Sequence, residues 1–183
     1  MKSEKTDRTW SFLAASPALN DISFEESVVL LLEDNEENSF GVIINKPIGK
    51  TLGEIDAKFE FSPLSNIPVF LGGPVSKDKF SIVVWRENSE NVCNFSFGIT
   101  AEKAEEFLAD FPDAKAGVFM GYAAWEKDQL TSEIEQKTWY VSKVDERFIL
   151  SENCENLWSD ILCKEYPQFN LLRHENYIDL QAN

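Results

Sequence analysis

Histidine is almost missing from this chain: among 183 residues there is one, His174. A Ser-His-Asp or Cys-His centre would have to use that residue, close to the C-terminus in LLRHENYIDL, and a zinc site would need cysteine or carboxylate ligands. A surface or capping role is the plainer reading of His174. Long apolar runs are also missing. The longest, Val28 to Leu32, is five residues, whereas a helix crossing a bilayer takes about 20. Neither a GxxxxGKS or GxxxxGKT string nor a GxGxxG string occurs, and no DxDxDG calcium loop is present, so no nucleotide or calcium site has a motif behind it. The three cysteines, Cys93, Cys154 and Cys163, form no CxxC pair and leave one thiol over after any pairing. That usage fits small buried hydrophobes in a reducing compartment. Basic residues are scarce: 17 Lys plus Arg face 32 Asp plus Glu, for a net charge of −15 and a pI near 4.4. Duplex nucleic acid and anionic membrane surfaces are repelled by such a field, and no basic stripe interrupts it.

What is present is the material of a folded protein. Hydrophobic residues make up 43% of the chain and aromatic residues 13%, enough for one core at this length. Residues 1–9 are polar and of mixed charge and are expected to fray, leaving a single domain over 10–183. The opening MKSEKTDRTWSFLAASPA carries Glu4 and Asp7, and its apolar run is too short for a signal peptide, which points to the cytoplasm.

Ser27–Asp34 is a β-branched and apolar run without helical spacing, read as a strand buried on both faces. A polar loop over 35–39 and a strand over 40–44 complete a hairpin. Asn45, Lys46 and Pro47 end it, and Gly49 beyond them lets the chain turn. Thr51 and Glu54 match a capping box for a short helix to Phe59. Strands follow at VFL before Gly72, Gly73 and Pro74, at Lys79–Arg86 and at Val92–Phe97, the last two joined by a turn over 88–91. Thr100 caps a helix whose Ala104, Phe107, Leu108 and Phe111 form one apolar stripe. A strand over Lys115–Met120 runs into Gly121. A helix over 128–137, a strand over 139–144 and a helix from Asn156 to Tyr166, with Leu157, Trp158, Ile161 and Leu162 inward, close the order. Neither strict βαβ alternation nor all-β, this predicts an α+β fold with a mixed, strongly curved sheet flanked by helices.

Four blocks, SPALNDISFEESVVLLLEDNEENSFGVIINKPIG at 16–49, VFLGGPV at 69–75, GVFMGYAAWEKDQLTSEI at 117–134 and the following Trp139, resemble the AlgH/YqgE family in order and spacing. The resemblance covers about Trp10 to Leu162 and implies a sheet curled towards a pseudo-barrel with helices outside. The family carries a label of transcriptional regulator, taken from one member's regulatory phenotype, and its biochemical activity is unassigned. The pattern usually has His where this chain has Asp34, Gly where it has Ala124, and often Gly where it has Asp128. Absence of that histidine implies either that no histidine chemistry is essential at this place or that this member has lost it.

Three short motifs are each expected just after a strand: Asn45, Lys46 and Pro47; Gly72, Gly73 and Pro74; and Gly121, Tyr122 and Trp125. Loops at strand ends form clefts. If they converge, the Gly72 and Gly73 amides face an anion, Asn45 offers an amide, Lys46 a charge, and Tyr122 or Trp125 a stacking face. The plainer reading makes the glycines and prolines turn residues and the aromatics core. Adjacent carboxylates such as Glu25 with Glu26, Glu36 with Glu37 and Glu105 with Glu106 read as solvated surface. The chain is therefore expected to be a non-enzymatic regulatory or interaction protein, with no cofactor and no metal. Its partner is a basic-faced protein or a small molecule. The alternative is a small-molecule, anion or nucleotide-binding domain or enzyme using the cleft.

Overall fold

The computed structural model describes residues 8–87, 93–143 and 154–170. His174, the turn over 88–91 and Val144 lie outside them. The chain forms two compact units, one of residues 1–41 with 124–183 and one of residues 42–123. Among the described residues there are nine strands and four α-helices, and the pairing is mixed, with both parallel and antiparallel neighbours. The α+β class with a mixed sheet is thus the observed one.

In the first unit β1 (Ser11–Ala15) lies between β2 (Val28–Asp34) and β9 (Trp139–Lys143), antiparallel to both. β2 is buried along nearly its whole length, as its unbroken apolar run requires. The turn from β2 into β3 (Asn38–Ile43) takes three residues, shorter than the loop expected, because the Asn35 side chain accepts from the Glu37 and Asn38 amides at 2.9 and 3.0 Å. Helix α4 (Leu157–Glu165) buries Leu157, Trp158, Ile161 and Leu162, each stabilising by roughly 1.5–3 kcal/mol. Trp158 Nε1 donates to the Ala15 carbonyl at 2.7 Å, fixing the helix on β1. Cys154 and Cys163 are both buried, and the Cys163 thiol donates to the Phe169 carbonyl at 3.1 Å.

The second unit is built on β5 (Pro68–Leu71), which is parallel to β8 (Lys115–Glu126) and antiparallel to β4 (Pro47–Thr51). On the other side of β8 comes β6 (Val75–Glu87), paired in turn with β7 (Cys93–Phe97). Helix α1 (Leu52–Ile55) starts at the expected capping box, where Glu54 accepts from the Thr51 amide at 2.7 Å, and a 3-10 turn carries it to Phe59. Helix α2 (Ala101–Asp110) turns Ala104 into a core of Leu52, Phe59, Leu64, Val69, Ile82, Val84 and Val118.

Three expectations change. The segment Ser11–Ala15, for which the sequence shows no element, is a strand. Pro47 opens a strand instead of closing one: an edge position asks no amide of it, and pairing with β5 keeps the segment extended despite Gly49. Finally, β8 does not stop at Met120. Gly121 adopts φ +69 between two registers of the β6 pairing, a bulge that bends the strand and lets it run on to Glu126.

Candidate functional site

Gly121 explains why two of the three motifs meet. A Cβ there would run into the backbone carbonyls of Gly73 and Val75, and a Cβ on Gly73 would run into the backbone of Tyr122. Two main chains therefore cross at van der Waals distance, which glycine alone permits. The third motif joins them through hydrogen bonds: the Ile43 amide donates to the Gly72 carbonyl and the Leu71 amide to the Lys46 carbonyl, both at 2.8 Å. Asn45, Lys46, Gly72, Gly73, Gly121 and Tyr122 thus gather in one place of the second unit. Asn45 is buried at 8% exposure, Lys46, Pro74 and Tyr122 are half-buried, and Pro47 is exposed at the head of β4.

The donors are arranged differently from the expectation. The Gly72 N–H donates to the Met120 carbonyl at 2.7 Å, so it faces the sheet and not an anion. Trp125 belongs to the first unit. It is 3% exposed, packs edge-on against Trp139 at 5.6 Å and stacks with Phe24 at 6.4 Å. Its ring offers no open stacking face, because the far stretch of β8 carries it into an aromatic core.

Two polar constellations of the first unit were not foreseen. Glu133 Oε2 accepts both indole donors, from Trp125 Nε1 at 2.9 Å and Trp139 Nε1 at 2.8 Å, and its Oε1 accepts from Gln129 at 2.8 Å. One carboxylate on α3 (Gln129–Glu135) therefore sets two tryptophan rotamers. Asp34, with a fully buried side chain, pairs with Arg8 Nε at 2.8 Å and accepts from Ser39 Oγ at 2.6 Å, while Arg8 reaches Thr131 at 3.0 Å. Arg8, expected within the fraying segment, is anchored. The sequence signal was the carboxylate ending an apolar strand, which demands a cation or several donors; which cation supplies it, 26 residues away, is a tertiary fact.

The other departures from the family pattern also find physical places. Ala124 is exposed on β8, and Asp128 stands at φ +61 as the residue before α3, a left-handed position that Asp tolerates better than most. Among the described residues no group of three or more His, Cys, Asp or Glu is disposed to hold a metal ion, and no helix is long and apolar enough to cross a membrane.

A family model described as AlgH-like matches residues 12–169. Among curated proteins, UPF0301 protein BF2109 of Bacteroides fragilis is 30% identical over 158 residues, 83% of this chain and 80% of that protein. UPF0301 protein SCO2948 of Streptomyces coelicolor is 33% identical over 174 residues, 88% of this chain and 89% of its own. Among solved structures, protein DIP2367 from Corynebacterium diphtheriae superposes with a TM-score of 0.72 at 18% identity, covering 93% of each chain. The AlgH protein from Pseudomonas aeruginosa gives a TM-score of 0.64 at 22% identity, covering 89% of this chain and 91% of that one. At these identities the two structures speak for the fold.

Proposed function

The chain belongs to the AlgH-like family, and from that premise we propose that it works as a regulatory interaction protein of the cytoplasm, gripping a basic-faced protein partner and catalysing no reaction of its own. The family's biochemical activity is unassigned, so the reading rests on this chain's own residues. The observation that carries it is the engagement of the Gly72 amide by the Met120 carbonyl: the glycine pair serves the crossing of two main chains, and an anion cradle there has lost its first donor. The charge of −15 then favours cationic partners and speeds their encounter. Glu102, Glu106 and Asp110 are exposed at successive four-residue steps of α2 and give that charge a straight edge.

The test compares capture from native bacterial lysate by the wild-type chain and by a variant with Glu102, Glu106 and Asp110 replaced by Lys. A basic protein held in fixed ratio by the first, lost from the second and released by salt supports the reading. Equal capture by both, or none by either, rejects it. A second reading, a small anion beside Asn45 and Lys46, is favoured by the nearness of Asn45 and Lys46 to Gly72, Gly73, Gly121 and Tyr122 in one unit. It requires that a metabolite panel raise the melting temperature of the wild type and not that of the Asn45→Ala, Lys46→Ala variant.

A further inference from the structure

Phe61, in the second unit, stands 93% open to solvent, well beyond the 40% of Ile48 and the 37% of Val75. Its exposure is built and not loose. Two residues before it Phe59 is buried in the core, and three residues after it Leu64 is fully buried in the same core. Between these anchors the backbone is tied down. The Ser62 amide donates to the Phe59 carbonyl, the Leu64 amide to Ser62 Oγ, and the Ser65 amide to the Ser62 carbonyl, each at 3.0 Å. A turn held at both ends and in its middle fixes where the ring stands, so a partner that covers it has little ordering to do. Pro63, also exposed, adds apolar surface beside it. A large ring presented rigidly to water is the kind of group on which an interface is centred.

The surroundings of the ring are negative. Ser62 ties the turn to α2, its Oγ donating to Glu105 Oε1 at 2.7 Å. Three residues earlier, Glu102 lies on the same flank of α2 as Glu105 and is exposed. Lys103 belongs to the other flank, since at about 100° per residue it is turned about 200° from Glu105. On the turn itself Glu60, next to Phe61, is exposed. Lys58 is taken up locally: Asp56 lies 3.0 Å from its Nζ, and the Phe59 ring lies beneath it at 5.4 Å. Lys79, beside the Phe80 ring that meets Phe59 at 6.0 Å, has Asp78 as its neighbour. Acids outnumber bases three to one over residues 54–62 and four to one over residues 101–110.

We propose that Phe61 is the apolar anchor of the acidic edge on α2, and that what docks there is a basic amphipathic protein segment. Its aliphatic side chains close over the ring, and its Lys or Arg heads meet Glu60, Glu102 and Glu106. Charge selects this occupant. A second copy of this chain, at −15, an acidic segment and an anionic bilayer are all repelled. A basic segment without aliphatic groups leaves the ring wet and gains only the exposed charge contacts, which are weak. The inference rests on the reading of the α2 edge as a docking surface and adds the chemistry of its partner.

The test is an amide-resonance titration of the full, isotopically labelled chain with a synthetic peptide of Lys and Leu at helical spacing. It is run at about 0.1 M salt, where a screening length of about 10 Å suppresses diffuse attraction. The expected result is saturable shifts concentrated in residues 60–64 and 102–109. Phe61→Ser, a change at a side chain already in water, weakens binding about tenfold or more. Ile22→Ser, equally exposed but in the first unit, leaves it unchanged. A peptide of Lys and Ser binds more weakly and is indifferent to Phe61→Ser. Glu102→Lys with Glu106→Lys weakens both peptides. If these reversals act and Phe61→Ser does not, the anchor is refuted and the acidic edge stands. If the reversals do nothing, the edge fails and takes the anchor with it. Shifts scattered over the molecule, or none up to millimolar peptide, also overturn the proposal. So does a doubling of mass in peptide-free solution, or sedimentation with phosphatidylcholine vesicles, that Phe61→Ser abolishes, since the ring then serves a second copy or a bilayer.

Discussion

Asp34 shows most plainly how one residue constrains its surroundings. Its buried carboxylate is tolerable because Arg8 and Ser39 hold it, and removal of one side of a buried pair leaves the other charge without compensation. Arg8→Ala is accordingly expected to cost about 3–5 kcal/mol in urea unfolding, while Arg8→Met combined with Asp34→Leu recovers much of that loss. If the single and double variants unfold alike, the pair carries no stability. Position 34 was legible as a departure from the family pattern, and its burial followed from the apolar strand before it. Arg8 was not legible, because nothing local distinguishes it from a solvated terminal arginine. Trp125 was legible as core in the plainer reading of GYAAW, but its surroundings were not: the bulge at Gly121 and the long-range partners Phe24, Trp139 and Glu133 decide how it is turned inward.

At the scale of elements, α2 is set by its first residue. Thr100 accepts from the Lys103 amide at 3.4 Å, and Glu102 in the first turn is held below its ordinary 4.5 by its own backbone amide first and then by the Thr100 hydroxyl. A lowered carboxyl pKa favours the folded state above the unfolded value, and that contribution disappears as pH falls through the folded value. Thr100→Ala is expected to destabilise the chain by roughly 0.5–2 kcal/mol near neutrality, and a carboxyl-carbon titration should find Glu102 moved upward towards 4.5; an unmoved Glu102 would mean that the cap plays no part. This helix was legible because its cap, stripe and acidic first turn agree. β1 was not: SFLAA is short, rich in alanine and buried along almost its whole length, so it shows no alternation, and pairing on both sides makes it a strand. β4 was not legible either, since Pro47 and Gly49 both argue against the extended state that β5 imposes.

For the whole molecule, the α+β class and the mixed pairing were legible because helical and strand periods alternate irregularly along the chain. The sequence left open whether the three short motifs meet, and neither the gathering of Asn45, Lys46, Gly72, Gly73, Gly121 and Tyr122 nor the occupation of the Gly72 amide was legible, since both depend on which strands run alongside. The charge of −15 repels itself in the compact state more than in the expanded one. Unfolding midpoints are therefore expected to rise as sodium chloride increases from very low values to about 0.15 M, where the screening length falls to about 8 Å. A midpoint that falls over that range would show that attractive ion pairs outweigh the repulsion.

The buried bond between a terminal arginine and a carboxylate on β2 has an evolutionary corollary. Once an acid has settled at position 34, position 8 is no longer free to drift, and a lineage that restores a neutral side chain at the first site releases the second. Relatives should carry the two as a linked trait, gained and lost together, however far apart they stand in the alphabetic order of the chain.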